Sequence, residues 1–215
     1  KLWLLLASYV FYAYWNPVYV ILLAASVAFN FWIGSWIGRC PRSSYSGRVL
    51  LVLGIAANLG LIIFYKYAGF LIQTTNAVAG LDYIVPQIIL PLGISFYTFT
   101  QIAYLVDAYR EDLSHYDFLT YNLFITYFPQ LIAGPLLLHK ELMPQLAVTP
   151  AADGPKQYLT FGLIWFGLGL CKKVLFADPQ SQLVAAVFDH PANVGFADAW
   201  VGALAYTLQL YFDFS

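Results

Sequence analysis

A stretch of 37 residues near the start of the chain, 2–38, contains no charged side chain. A membrane-spanning helix needs about 20 mostly apolar residues, so this stretch is long enough for one long span or two shorter ones. The rest of the chain agrees, because only 10% of its 215 residues are charged and 61% are hydrophobic. Soluble domains carry roughly 25% charged residues. The sequence therefore predicts an all-α fold, a polytopic bundle of transmembrane helices.

The same composition excludes other classes of protein. Ten Lys and Arg residues against eleven Asp and Glu give a net charge of −1, which leaves no basic excess to bind nucleic acid. Disorder requires low hydrophobicity and high charge, the opposite of this chain. Because the chain begins with Lys1 and ends directly after an apolar run, we interpret it as a single transmembrane domain, 1–215, that is an incomplete piece of a longer protein.

Turn residues and charges divide the apolar sequence into seven predicted segments. Asn16-Pro17 splits the first stretch, because the residue before a proline disfavours helical backbone. The predicted segments are 2–15, 18–38, 49–65, 84–106, 118–138, 158–171 and 199–214. A loop outside the cell is expected near 74–86, since no Lys or Arg lies between Lys66 and Arg110.

Clusters of basic residues set the predicted orientation. Arg39, Arg42 and Arg48 follow the second segment, and Lys172-Lys173 closes the sixth. Lys and Arg are enriched on the cytoplasmic side of membrane proteins, so we expect all five residues there.

The fifth segment carries turn signals inside its apolar sequence. Pro129-Gln130 and Gly134-Pro135 interrupt it, which predicts either a kinked span or a re-entrant segment. Irregular backbone at membrane depth is tolerated only where protein or a water-filled cavity surrounds it. A polar stretch from His139 to Lys156 follows.

The fourth segment holds a concentration of hydrogen-bonding side chains: Ser95, Tyr97, Thr98, Thr100, Gln101 and Tyr104. Tyr97, Gln101 and Tyr104 are spaced i, i+4 and i+7, so they share one helix face. Lipid would leave these groups unsatisfied, so we expect the face to point into the bundle. Two interpretations follow, namely hydrogen bonds between helices or the wall of a substrate passage. Asp107 and Arg110, three residues apart on this helix, can form an ion pair.

Motifs of soluble enzymes are absent from the sequence. It has no phosphate-binding glycine loop, no Cys-x-x-Cys and no His-Glu-x-x-His. The three histidines, His115, His139 and His190, lie at the ends of segments. Their spacing supports neither a metal site nor a Ser/His/Asp arrangement, so composition and spacing alone name no reaction.

Four blocks of sequence carry a more specific signal. They are 90–99 continued by 104–110, 127–135 followed by 143–146, 169–178, and 203–215. In these blocks the chain resembles the membrane-bound O-acyltransferase family, on its alginate O-acetylation branch. The resemblance covers nearly the whole chain in order and spacing. The residues of interest in these motifs are Asp107, Arg110, Pro129, Gln130, Gly134, Pro135, Lys172, Lys173 and Asp213.

The resemblance implies a transfer reaction in the bacterial cytoplasmic (inner) membrane. An activated acyl donor arrives on the cytoplasmic side, and the acetyl group passes to a hydroxyl of a cell-surface polysaccharide such as alginate. The transfer is direct or uses a partner acetyltransferase or an acyl-carrier donor. Membrane lipid surrounds the protein, and no bound cofactor is implied. Ser95, Tyr97, Thr98, Gln101 and Tyr104 then become candidates for the wall of the passage.

The resemblance also implies that the essential histidine is not in this chain. Family members place it after the Tyr-Phe-Asp-Phe-Ser block, hence beyond Ser215, and this predicts that the chain alone is inactive. Relatives often have an arginine after the second block, where this chain has 136–139 as Leu-Leu-Leu-His. The alternatives are D-alanyl or peptidoglycan O-acyl transfer within the family, and a membrane transporter or scaffold outside it.

Overall fold

The computed structural model describes residues 1–41, 44–110, 116–132, 139–147, 155–189 and 194–215. Across these residues all regular secondary structure is helical, which confirms the predicted fold class. The chain divides into two compact units, Lys1–Val148 and Thr149–Ser215. The expectation that 1–215 acts as one transmembrane domain stays a prediction.

The first unit begins with two helices that are separated where the sequence predicts. α1 (Leu2–Trp15) ends before Asn16, and α2 (Val18–Arg39) follows Pro17. Asn16 has extended backbone, and its side-chain oxygen accepts a hydrogen bond from the Val18 amide at 3.0 Å. This bond satisfies one of the amide donors that the first turn of a helix leaves without a partner.

The next helix is longer than the sequence indicates. α3 (Tyr45–Ile62), a π-helical segment (Ile63–Tyr67) and α4 (Ala68–Ala79) form one continuous helix of 35 residues. The loop expected near 74–86 therefore starts only after Ala79. The hydroxyls of Thr74 and Thr75 donate to carbonyls four residues earlier, which lets these polar residues remain inside the helix.

α5 (Ile94–Arg110) corresponds to the fourth predicted segment but begins at Ile94 rather than at Ile84. Residues 81–91 have no regular secondary structure, because Pro86 and Pro91 lack an amide donor and disfavour helical backbone before them. Gly93, with a φ of 66°, makes the left-handed turn into α5. A Cβ at this position would lie 2.5 Å from the Leu131 carbonyl oxygen, so two independent constraints require glycine here.

Small residues allow α5 to pack closely against α2 and α3. A Cβ on Gly34 would overlap the ring of Tyr104, and a Cβ on Gly54 would lie 2.6 Å from Cδ1 of Leu105. Glycine at such crossings lets helices of membrane proteins approach each other closely. α5 is therefore a central helix of the first unit.

The fifth predicted segment is a broken helix. α6 (Phe118–Thr126) and α7 (Phe128–Leu131) are separated at Tyr127, whose backbone leaves the helical region with φ −53° and ψ 106°. Pro129 lies in the first turn of α7, where its missing amide donor costs nothing. Gly134 and Pro135 fall outside the described residues.

The polar stretch that follows contains a helix that the sequence does not indicate, α8 (His139–Ala147). Met143 is fully buried, and Leu142 and Leu146 pack against the core. These residues recur at helical spacing among polar ones, so they form an amphipathic face without forming an apolar run.

The second unit contains two long helical stretches. α9 (Pro155–Cys171), a π-helical segment (Lys172–Ala177) and α10 (Asp178–Phe188) follow one another without interruption. α11 (Phe196–Phe214) returns along α10 and the π-helical segment. The predicted end at Cys171 is wrong, because the helix continues through Lys172-Lys173 to Phe188. The cytoplasmic side expected for these two lysines depended on that end, and we do not retain it, since both lie near the middle of the continuous helix. The apolar residues after the lysines and the carboxylate partners of Lys173, described below, allow this continuation.

Three helices in the described part of the chain are long and apolar enough to cross a membrane: Val18–Arg39, Tyr45–Ala79 and Tyr158–Phe188. α1 is apolar but shorter. The protein is therefore a membrane protein with several candidate spans.

Candidate functional site

Four buried polar side chains from three helices form a hydrogen-bonded network in the first unit. We call it the amide network: Ser26 and Asn30 of α2, Asn58 of α3 and Gln101 of α5. Asn30 and Asn58 bond to each other through both of their amides, at 3.2 and 2.6 Å. The Gln101 amide oxygen accepts from the Ser26 hydroxyl at 2.9 Å and from the Asn30 amide at 3.0 Å. The network therefore connects three helices at one point.

Each asparagine of the amide network is also bonded to its own helix. The Asn30 amide donates to the Ser26 carbonyl at 2.9 Å, and the Asn58 amide donates to the Gly54 carbonyl at 2.8 Å. These local bonds fix the side chains in the orientation that the interhelical bonds need. Polar contacts between helices in a membrane contribute on the order of 0.6 kcal/mol each. For Gln101 this geometry supports the interhelical interpretation of the polar face.

Tyr97, four residues before Gln101, has different surroundings. It is buried and borders a cavity of about 10 Å³, close to the volume needed for one water molecule. The cavity is also lined by Thr100 of α5 and by Gln130 of α7, together with Phe96, Phe124, Ile125 and Leu131. The cavity thus lies where α5 meets the broken helix.

Several buried polar atoms on α5 and α6 make no hydrogen bond of good geometry with the residues that the structure describes. They are the hydroxyls of Tyr97, Thr98 and Tyr121 and the amide nitrogen of Gln101. Buried polar groups in native proteins are almost always hydrogen-bonded, to protein or to ordered water. The hydroxyl of Tyr12, which donates to the Leu92 carbonyl, lies close to that of Tyr97. The atoms of Thr98, Tyr121 and Gln101 need further partners, such as water or a polar ligand.

The other predicted residues of α5 have more ordinary surroundings. Tyr104 is buried against Tyr121, with the ring centroids 4.5 Å apart. Ser95 is half-buried in the first turn. Asp107 is half-buried and Arg110 exposed in the last turn of the helix, and their ion pair stays a prediction.

Gln130 and its neighbours connect the broken helix to the rest of the first unit. The Gln130 side-chain amide donates to the Phe124 carbonyl at 3.4 Å, a long bond across the break. The Phe128 amide donates to the hydroxyl of Ser8 in α1 at 3.3 Å. The carbonyl groups and amides freed by the break thus find partners within protein, as irregular backbone at membrane depth requires.

The second unit contains a different polar arrangement, which we call the charged cluster: Lys173, Asp178 and Asp213. The ammonium of Lys173 lies 2.7 Å from an oxygen of Asp178 and 2.9 Å from an oxygen of Asp213. About half of the Lys173 side chain is exposed, compared with 23% of the Asp213 side chain. Lys172, the adjacent residue, donates to the Ser215 carbonyl at 3.4 Å.

The sequence analysis missed several members of these two arrangements. It did not single out Ser26, Asn30 or Asn58, although an asparagine inside a long apolar helix is a signal that could have identified them. It also did not pair Lys173 with Asp178 and Asp213. Asp178, one turn after Lys173 on the same helix, was a local signal that could have been paired with it. The pairing with Asp213 could not be seen from sequence, because it depends on α11 returning to the π-helical segment.

The described residues support neither a catalytic histidine nor a metal site. His115 and His190 lie outside them, and only the backbone position of His139, at the start of α8, is described. Among the residues searched, no group of three His, Cys, Asp or Glu side chains could hold a metal ion.

More than half of the chain is similar to a known protein family. Residues 84–215 match the family model of membrane-bound O-acyltransferases. This range includes Tyr97, Gln101, the broken helix and the charged cluster. No solved structure matches the chain.

Two kinds of relative are similar over the whole chain. A peptidoglycan O-acetyltransferase of Helicobacter pylori is 39% identical and is covered over 45% of its own length. Probable alginate O-acetylases of Pseudomonas aeruginosa and Pseudomonas putida are also 39% identical, covered over 42% and 44% of their lengths. The chain thus spans less than half the length of these relatives.

Proposed function

Because the chain belongs to the membrane-bound O-acyltransferase family, we propose that it is part of a longer enzyme that acetylates hydroxyls of a cell-surface polysaccharide. The observation that carries this proposal is the similarity of the whole chain to relatives named for O-acetylation of alginate and of peptidoglycan. Both names specify an acetyl group and an acceptor that contains sugar. Alginate is the acceptor that we propose first, and peptidoglycan is the second candidate.

The proposed reaction exchanges one acyl bond for another. A hydroxyl oxygen of the acceptor attacks the acyl carbon, the bond between that carbon and the donor's leaving group breaks, and the hydroxyl proton passes to a base. We place this base in a histidine beyond Ser215, so residues 1–215 alone are proposed to be inactive. The activated donor is cytoplasmic, and a partner acetyltransferase or acyl carrier is a proposed intermediary.

We assign the two halves of the polar α5 face different roles. Thr98 carries a buried hydroxyl without a partner in the described chain. Tyr97, whose hydroxyl has that of Tyr12 as a neighbour, borders the cavity beside α7. A polar substrate group or its water would satisfy these hydroxyls, which supports a passage on this side. Gln101 and Tyr104 bond or pack against neighbouring helices, so their proposed role is to hold the bundle together.

A genetic and chemical comparison tests the function without requiring a purified partner. The gene for the full-length protein is deleted in its source bacterium and restored on a plasmid, and ester-linked acetate is measured on isolated cell-surface polysaccharide and on peptidoglycan. We expect the deletion to remove acetate from one polymer and the plasmid to restore it. Unchanged acetate on both polymers would contradict the proposed function. A plasmid that carries only residues 1–215 is expected to restore nothing.

The proposed location is the bacterial cytoplasmic membrane, with Arg39, Arg42 and Arg48 facing the cytoplasm. Single cysteines at these positions, in a full-length protein without other cysteines, should react with an impermeant thiol reagent only after the cells are opened. Strong labelling at position 48 in intact cells would reverse the proposed orientation.

A further inference from the structure

The charged cluster joins two parts of the second unit that are far apart in sequence. Asp178 follows Lys173 by one turn within the same continuous helix, whereas Asp213 belongs to the last turn of α11. A single ammonium, 2.7 and 2.9 Å from the two carboxylates, therefore connects the π-helical segment to the end of α11.

Apolar contacts already hold these helices together without the charges. Phe176 stacks on Phe212, with the ring centroids 5.0 Å apart. Farther along, Gly202 of α11 packs closely against Val187 of α10. The charged cluster is thus additional to a packed interface rather than its main source of attraction.

The position of Lys173 makes this addition costly. It lies near the middle of Tyr158–Phe188, a helix long and apolar enough to cross a membrane. Ionisable residues within such segments are expensive to place there and mark functional sites by default. The π-helical segment that contains Lys173 also indicates a functional site, because π-helical turns inside α-helices occur frequently at such sites.

We propose that Lys173 is a positioning residue for acyl transfer. Its ammonium holds the carboxylate of Asp213, and with it the last turn of α11, in the arrangement that the reaction needs. Lys173 itself touches no reacting group in this proposal. The assignment rests on the proposed acyltransferase function and adds a residue whose removal slows the reaction without weakening the fold.

Variants of the full-length protein test this assignment. Lys173→Gln and Asp213→Asn each remove the bond between the helices, whereas Lys173→Arg can keep it. Lys172→Gln is the matched control, because it removes the same charge from the adjacent residue. Among the described residues, the Lys172 ammonium bonds to a backbone carbonyl at 3.4 Å and to no carboxylate. The measurements are kcat, KM for the acceptor, the yield of folded protein in detergent, and its melting temperature.

We expect Lys173→Gln and Asp213→Asn to lower kcat at least tenfold, with KM, folded yield and melting temperature close to those of the wild type. Lys173→Arg should retain at least a third of wild-type kcat, and Lys172→Gln should stay within threefold. If Lys173→Gln alone folds poorly because Asp213 loses its partner, the double variant Lys173→Gln/Asp213→Asn removes that charge. It is expected to fold and to show the same tenfold loss.

Two results would overturn the assignment while leaving the proposed function intact. One is wild-type kcat in folded Lys173→Gln or in the double variant. The other is an equal loss of kcat in Lys172→Gln, which would mean that any positive charge in this segment suffices. A wild-type protein without transfer activity would instead overturn the proposed function, and the positioning role with it.

Discussion

The two units accommodate polar side chains in opposite ways. The amide network of the first unit is neutral and fully buried, and its four members come from α2, α3 and α5. The charged cluster of the second unit carries formal charges and keeps about half of the Lys173 side chain exposed. The amide network lies where α2, α3 and α5 pack closely. The charged cluster lies on a long helix that is otherwise mostly apolar.

The difference follows from the cost of removing each kind of group from water. A neutral amide can be buried at little net cost once it is hydrogen-bonded. A charge within a membrane-spanning segment is costly to place there even when it is paired, and a half-exposed ion pair such as that of Lys173 adds little to stability. We therefore expect the amide network to affect mainly the stability of the fold, and the charged cluster to affect mainly the reaction.

The largest expected effect concerns the close packing at the start of α5, where Gly93 meets Leu131 of α7. Gly93→Ala places a Cβ 2.5 Å from the Leu131 carbonyl oxygen and forces alanine to adopt a φ of 66°. The strain and the overpacking together should lower the free energy of unfolding by about 3 kcal/mol. Thermal unfolding of the full-length protein in detergent measures this loss.

Gly60→Ala is the matched control for this change. Gly60 lies in α3, and apart from its own stretch of helix no described residue comes within 4 Å of the position that its Cβ would occupy. Alanine favours helix by up to about 1 kcal/mol over glycine, so the control should be neutral or stabilising. Equal melting temperatures for the two variants would mean that the approach of α7 to Gly93 is not a constraint on the fold.

The second effect tests whether the amide network acts as a unit. Asn30→Leu removes the group that bonds to both Asn58 and Gln101 and leaves polar atoms buried without partners, at a cost of about 2 kcal/mol in unfolding free energy. The double variant Asn30→Leu/Asn58→Leu should lose less than the sum of the single losses, because it removes both partners of the shared bonds.

The control for the network is an exposed polar residue on the long helix. Thr75 bonds only to a carbonyl of its own helix, so Thr75→Val should change the unfolding free energy by less than about 0.5 kcal/mol. Additive losses for the two asparagines would show that they stabilise the fold independently.

The sequence predicts helix breaks and the buried face of α5 better than it predicts polar contacts between helices. The break at Asn16-Pro17, the broken helix at Pro129 and the burial of Tyr97, Gln101 and Tyr104 follow from local rules of proline and of helical spacing. Those rules depend only on neighbours in sequence.

The errors arise where distant residues decide the outcome. Lys172-Lys173 predicts a helix end, because two lysines in water-facing sequence normally stop a span. Asp213, which lies 40 residues after Lys173 in the chain, supplies a charge that pairs with Lys173 inside the continuing helix. The partners of Gln101 come from α2, which sequence spacing within α5 cannot identify.

The third effect separates the two halves of the polar α5 face. Tyr97→Phe removes a buried hydroxyl that makes no hydrogen bond of good geometry. Its neighbour Tyr12 keeps its bond to the Leu92 carbonyl, so the fold should change little. If the Tyr97 hydroxyl faces the substrate passage, the transfer rate per folded molecule should fall about tenfold, which is about 1.4 kcal/mol in the barrier.

Gln101→Leu is expected to have the opposite pattern. The free energy of unfolding should fall by about 1 kcal/mol, and the transfer rate per folded molecule should stay within twofold of wild type.

Both variants are measured in the same assay, with folded protein quantified by size-exclusion chromatography in detergent. A normal rate for Tyr97→Phe would remove this residue from the passage wall. A tenfold loss of rate in a stably folded Gln101→Leu variant would return Gln101 to it, and would mean that the amide network has a role in the reaction as well as in the fold.

The smallest effect calibrates what an exposed charge contributes to stability in this protein. Asp117 is exposed before α6, and the hydrogen bond from the Thr120 hydroxyl lowers the pKa of its carboxyl below the ordinary value of 3.8. A lowered pKa in the folded state means that the ionised carboxylate stabilises the fold above about pH 4. That contribution is lost as the pH falls through the folded-state pKa. Because solvent screens the contact, Asp117→Asn should cost only a few tenths of a kcal/mol at pH 7.

Unfolding of wild type and Asp117→Asn between pH 7 and pH 3 measures this contribution. The stability difference should be constant above about pH 4 and should disappear below it, since a protonated Asp117 resembles asparagine. A difference that grows as the pH falls would mean that the protonated carboxyl is the favoured form and would reverse the direction of the pKa shift. A small value here gives the stability effect that an exposed charge has in this protein. A large loss of transfer in a stably folded Lys173→Gln variant would then not be explained by a weakened fold.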